Sequence, residues 1–211
     1  MKIALIGATG FIGSAILTEA LNRGHAVTAI ARHTDQLPHH ANLTAKAGDV
    51  TDEAQAAALF AGHDAVISSF APRGETDQYK GFVESYKAVI NAVKKADVKR
   101  LLVVGGAGSL EFNGVQLVDS GAIPEAWKVG VLGLREVLYT LRKEKDLDWT
   151  FLSPSQTIAP GERTGKFRLG LDYLLVDANG ESRISVEDFA VAMIDELESP
   201  AHSRQRFTVG Y

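Results

Sequence analysis

Two rhythms of apolar and polar positions run through this chain. Short, nearly unbroken apolar stretches at Ile3–Ile6, His25–Ile30, Leu43–Ala47, Asp64–Ser69, Arg100–Val104 and Trp149–Leu152 predict strands. Runs without strict alternation suit parallel strands covered on both faces. Between them, apolar residues recur every three or four positions and predict helices at about Phe11–Arg23, Asp52–Phe60, Asp77–Ala96 and Pro124–Lys145, with a last one from Ser185 to about Leu197. In the first helix Ile12, Ala15, Ile16 and Ala20 share one face. Arg206–Val209 predicts a final strand.

The ends carry matching signals. Gly24 stands where a left-handed residue closes a helix. Thr51 is read as a cap, and Pro124 as the first turn of its helix. Ser185-Val186-Glu187-Asp188 resembles a capping box with Asp in place of Glu. Phe70–Gly74 and Leu110–Ile123 read as loops, and residues 156–184 as irregular, with Leu174–Val176 as a candidate short strand. Regular alternation of strand and helix builds an α/β fold: a Rossmann-like, doubly wound, mostly parallel sheet with helices on both faces and right-handed crossovers. Repeats, low-complexity tracts and linkers are lacking, so residues 1–211 read as one domain, with a small substrate-covering segment at about 156–185.

Composition narrows the chemistry. The 211 residues are 45% hydrophobic and carry a net charge of -4, so nothing favours nucleic acid or an anionic membrane as a partner. Without cysteine there is no disulfide, thiolate metal site or cysteine nucleophile, which suits a cytoplasmic protein. The six histidines show no ligand spacing, so no metal site is expected. No apolar run approaches the roughly 20 residues of a membrane span.

In a doubly wound sheet, ligands bind where the strands end at their carboxyl edge. Small and polar residues crowd those ends: Gly7–Gly13, Arg32-His33, Asp49-Val50, Ser68–Pro72, Gly105–Ser109 and Ser153–Gln156. The run Gly7-Ala8-Thr9-Gly10-Phe11-Ile12-Gly13 sits between a strand and a helix. It aims helix N-terminal N–H groups and the positive end of the dipole at one point, where a pyrophosphate fits. Gly7 allows the tight turn, Gly10 the approach of phosphate, and Gly13 close helix–strand packing.

Arg32 lies about 19 residues beyond Gly13, where an NAD site places an acid for the ribose 2′-hydroxyl. An arginine there can fork onto a 2′-phosphate, so NADP(H) is favoured and NAD(H) possible. Asp35 close by weakens that preference. Asp49 either accepts from the adenine amino group or is a turn aspartate before the next helix. Ser68, Ser69, Phe70, Gly105, Gly106, Ala107, Pro154 and Ser155 complete the expected cofactor surface with Val50, as small or apolar groups that let ribose and nicotinamide lie against backbone.

These motifs resemble the atypical short-chain dehydrogenase/reductase superfamily. Gly7–Gly13, Gly48-Asp49-Val50-Thr51-Asp52 and Val103–Ser109 carry the likeness. Within it the chain is similar to the small NAD(P)H-binding proteins commonly described as NADH-flavin reductases, to biliverdin reductase B, and more distantly to NmrA-like proteins. Phe151–Pro154, Pro160–Gly165 and Ser182–Ala190 extend the resemblance over nearly the whole chain. It implies fold and cofactor more than substrate.

The superfamily's tyrosine–lysine pair is missing from its place. Tyr139-x-x-x-Lys143 has the spacing, yet Tyr139 lies some 15 residues into its helix, roughly 22 Å from the cofactor end. Near the helix start stand Trp127, which has no titratable proton, and Lys128, which either meets a substrate or is an exposed helix lysine. Ser109 and Lys128 are the catalytic candidates.

Reducing a simple carbonyl needs a positioned acid. A flavin, quinone or linear tetrapyrrole needs it less, because the conjugated ring spreads the incoming charge. Phe70, Phe112, Trp127 and Tyr173 either stack on such an acceptor or pack the protein. Arg163, Lys166 and Arg168 either meet a flavin phosphate or are solvated. The expected function is therefore an NAD(P)H-dependent reductase of a flat conjugated acceptor, as monomer or homodimer. The alternative is a non-catalytic NmrA-like redox sensor. A nucleotide-sugar epimerase or dehydratase fits less well, given the short C-terminal part and the misplaced Tyr139.

Overall fold

The computed structural model describes residues 1–72 and 76–211. The chain runs β1 (Lys2–Ile6), α1 (Phe11–Asn22), β2 (Ala26–Ala31), β3 (Leu43–Ala47), α2 (Glu53–Phe60), β4 (Ala65–Ser68), α3 (Gln78–Lys95) and β5 (Arg100–Val104). A hairpin of β6 (Glu111–Phe112) and β7 (Val115–Gln116) follows, then α4 (Glu125–Lys143) and β8 (Asp148–Ser153). β9 (Thr157–Ala159), β10 (Arg168–Gly170), β11 (Arg183–Ser185), α5 (Val186–Glu198) and β12 (Gln205–Gly210) complete it.

The main sheet has eight strands in the order β10-β12-β8-β5-β4-β1-β2-β3. Every neighbouring pair is parallel except β10 with β12. Order reverses between β1 and β4, which is the switch point of a doubly wound sheet. Side chains alternate across the sheet, so Ile3 and Leu5 enter one core and Ala4 and Ile6 the other. α1 and α5 cover the first face, and α2, α3 and α4 the second. This is the Rossmann-like α/β fold with helices on both faces that the pattern predicts.

Local signals explain most boundaries. α1 ends in a Schellman motif: Gly24 has φ 78°, its N–H reaches the Leu21 carbonyl, and the His25 N–H reaches Ala20. At α5, Ser185 accepts from the Asp188 N–H. Asp188 does not return the bond to Ser185. Its carboxylate instead accepts from Gly165 N–H, the Thr164 hydroxyl and the Tyr211 hydroxyl.

Four expectations need correction. Asp52, not Thr51, caps α2, accepting from Ala54 and Gln55. Pro124 is the residue before α4 rather than its first turn. Leu174–Val176 is no strand: its apolar character serves a small third core in which Leu174 packs with Leu110 and Leu117. Residues 156–184 and 110–123 are not wholly irregular, since they hold β9, β10, most of β11 and the β6–β7 hairpin. The loop read at Phe70–Gly74 is described as far as Pro72, and Arg73 and Gly74 lie outside the described residues.

Candidate dinucleotide cleft

The carboxyl ends of β1, β2, β3 and β4 open into one cleft of about 240 Å³. Its walls include Gly7, Thr9 and Gly10 from the first turn, Arg32 after β2, Asp49 and Val50 after β3, and Ser69 and Phe70 after β4. The turn is held by backbone contact. Gly7 has φ 79°, and a side-chain carbon there would stand 2.4 Å from the Ser69 carbonyl oxygen. One at Gly13 would stand 2.0 Å from the Gly7 carbonyl oxygen. Neither position can accept even a methyl group without moving main chain. Gly10 begins α1, and no side chain caps that helix end. α2, α3 and α5 are capped by Asp52, Asp77 and Ser185. The first-turn N–H groups of α1 thus stay available to an anion at the cleft.

Arg32 is exposed on the rim and makes no ion pair with any described residue, Asp35 included. Asp49 is a turn aspartate: one carboxylate oxygen accepts from both the N–H and the hydroxyl of Thr51. Those two bonds, with a smaller contribution from the Arg32 charge, hold its pKa below the usual 3.8. The turn role does not remove Asp49 from the cleft wall. Ser85, from α3, also lines the cleft, as do Ile30, Ala31, Thr51, Ala71 and Pro72. The sequence does not mark Ser85, because it lies inside a helix rather than at a strand end.

Other expected site residues do not line this cleft. Ala8 is buried in the core, Ile12 packs against it, and Phe11 is half-exposed beside a second groove between α1 and α5. Ser68 is fully buried and donates to the Tyr86 hydroxyl. Gly105 is small because a side chain would meet the Phe151 ring at 2.1 Å. Gly106 and Ala107 follow it at the end of β5, outside the cleft wall, and Pro154 is buried. Ser155 is buried and donates to the Val209 carbonyl at 2.8 Å.

Neither catalytic candidate lines this cleft. Ser109 is buried and accepts from the Arg206 guanidinium, itself paired with Asp172. Lys128 faces solvent with Glu125 3.6 Å away. Trp127 beside it is 68% exposed. The Tyr139 hydroxyl is bound to Gln116 and is not part of the cleft. Arg163 is not free for a phosphate, since it forks onto Glu19 with two contacts of 2.7 Å. Arg168 donates to the carbonyls of Val176 and Tyr211. Lys166 is exposed, and of the aromatic candidates only Phe70 lines the cleft, while Phe112 and Tyr173 are exposed elsewhere.

Arg32 and Asp49 are the only ionisable residues that line this cleft among those described. Its donors, turn and rim fit a dinucleotide. It holds no lining tyrosine, histidine or lysine to deliver a proton. Among the described residues, no three His, Cys, Asp or Glu side chains gather to hold a metal, and no helix is long and apolar enough to cross a membrane.

The profile of a family described as NAD(P)H-binding matches residues 7–197. Three solved structures resemble the whole chain. A provisionally named exported protein of Burkholderia pseudomallei is 48% identical, with TM-score 0.90 and full coverage of both chains. A provisionally named epimerase of Bacteroides thetaiotaomicron is 49% identical, with TM-score 0.94, covering 100% of this chain and 96% of its own. A provisionally named NADH-flavin reductase of Streptococcus pneumoniae is 32% identical, with TM-score 0.88, covering 100% and 99%. The three carry different labels and share the fold.

Proposed function

The chain belongs to the NAD(P)H-binding family, and from that premise we propose that it is a reductase that takes hydride from NADPH to a flavin, quinone or similar flat conjugated acceptor. The observation that carries the cofactor preference is Arg32, an exposed guanidinium on the cleft rim with no described ion-pair partner. Its planar fork suits a 2′-phosphate and gains less from a bare 2′-hydroxyl, which has no charge to pair and no second acceptor oxygen. Gly7, Thr9, Gly10 and the first turn of α1 would receive the pyrophosphate, and Asp49, Val50, Ser69 and Phe70 the adenosine half. The bound nicotinamide would supply the hydride. The chain's own task is then to bind, orient and leave the acceptor face open.

The acceptor class rests on the start of α4, where Trp127 and Lys128 stand and no tyrosine does. Without a tyrosine acid there, a substrate that needs a proton as hydride arrives would react poorly. A conjugated ring can take its proton from water. A chain without cysteine that uses a reduced nicotinamide suits a cytoplasmic setting. The same lack of an acid also favours a second reading, a sensor that binds the dinucleotide without turning it over. Mixing the protein with NADPH and, in turn, FMN, FAD, menadione and biliverdin separates the two. Loss of the reduced-nicotinamide absorbance with at least one acceptor is the expected result. Tight NADPH binding with no oxidation across the panel leaves the sensor.

A further inference from the structure

Beneath the cleft lies a hydrogen-bond relay centred on two buried side chains. Ser68, the last residue of β4, donates to the Tyr86 hydroxyl at 3.2 Å. Tyr86 donates onward to the Phe70 carbonyl at 3.1 Å. Tyr86 is 1% exposed, and burial pushes its hydroxyl up to about 12, so it stays a neutral donor at any working pH. Its ring is wedged between Phe70, edge-on at 6.3 Å, and Phe82, stacked at 6.4 Å.

The segment held this way is the cleft wall Ser69-Phe70-Ala71-Pro72. Its other side abuts the first turn, where the Ser69 carbonyl fills the space a Gly7 side chain would need. Pro72 restricts Ala71 before it to extended backbone. The wall is therefore pinned at its first two residues, Ser69 against Gly7 and Phe70 by Tyr86. We infer that Tyr86 is a positioning residue whose hydroxyl sets Ser69–Pro72 against the Gly7 turn and so fixes the width of the dinucleotide cleft. This rests on the reading of that cleft as an NADPH site.

The relay allows a test that separates positioning from stability. Tyr86→Phe keeps the ring but removes the donor to Phe70 and leaves the Ser68 hydroxyl buried without its partner. Adding Ser68→Ala removes that orphan hydroxyl, yet the Phe70 carbonyl still lacks its donor. Thermal melts and NADPH affinity by nicotinamide fluorescence are measured on the wild type, the single variant and the double variant. The expected Kd rises about five- to tenfold in Tyr86→Phe, the span of one lost hydrogen bond. It stays raised in the double variant while the melting temperature recovers. With an active acceptor, KM for NADPH rises and kcat holds. Unchanged NADPH affinity in Tyr86→Phe overturns the inference, as does affinity that recovers together with melting temperature. A wild-type protein that does not bind NADPH overturns the cofactor reading instead.

Discussion

The two halves of the sheet's carboxyl edge use the same small residues for different reasons. At the ends of β1 to β4, Gly7 and Gly13 are small because main chain passes within 2.4 Å and 2.0 Å of where a side chain would start. At the ends of β5 and β8, Gly105 yields to the Phe151 ring, and Ser109 and Ser155 bond to Arg206 and the Val209 carbonyl. One half lines the cleft; in the other, these three residues serve contacts within the protein. A strand end rich in glycine and serine is thus ambiguous until its neighbours are known.

Gly13→Ala should break the first half most severely. Backbone must separate to admit the methyl group, at about 3 kcal/mol or more of stability, and NADPH affinity should fall with it. Gly105→Ala is the counterpart. Phe151 can turn or shift, so about 1–3 kcal/mol is expected, with NADPH affinity per folded molecule unchanged. If chemical denaturation shows little loss for Gly105→Ala while NADPH binding disappears, the contrast between the halves fails.

Arg32→Ala sharpens the first half without touching the fold. NADPH affinity should drop about 10- to 100-fold, the range of a charge-assisted hydrogen bond, while NADH affinity holds. Equal losses for both cofactors would remove Arg32 from the 2′-phosphate. Ser155→Ala probes the second half and should cost about 1 kcal/mol in a urea melt, with both Kd values unmoved.

Acid should also act through α1. Glu19 is almost fully buried on that helix. Its bond from Arg163, and then that from Arg23, outweigh burial and hold its pKa below the usual 4.5. The folded state therefore favours the carboxylate. Stability is complete above pH 4.5 and drains away as pH falls through the lowered value. In Glu19→Gln, the decline of melting temperature below pH 4.5 should be shallower than in the wild type. An identical slope would relieve Glu19 of that role.

The fold was legible because its long elements have periods. Twelve-residue α1 and eighteen-residue α3 announce themselves by spacing, whereas β6, β7, β9 and β11 are two or three residues long and have no period to read. The cleft was half legible. Gly7, Gly10, Arg32 and Asp49 follow from turn chemistry and spacing along one βαβ unit and its neighbour. Ser85 enters from a helix face, and the engagement of Ser109 with Arg206 joins residues 97 apart in sequence. Arg163, read as either a flavin-phosphate contact or a solvated loop residue, is claimed by Glu19 from 144 residues away. Local pattern cannot announce either partner.

Every residue that lines the cleft falls between Ile6 and Ser85. The strands involved, β1 to β4, sit side by side, and the chain from β3 to β4 passes over β2 and β1. During synthesis on the ribosome, all of that wall has been made before β5, β8 or β12 exists. A dinucleotide site of the kind proposed is thus complete in sequence while the rest of the sheet is still to be translated.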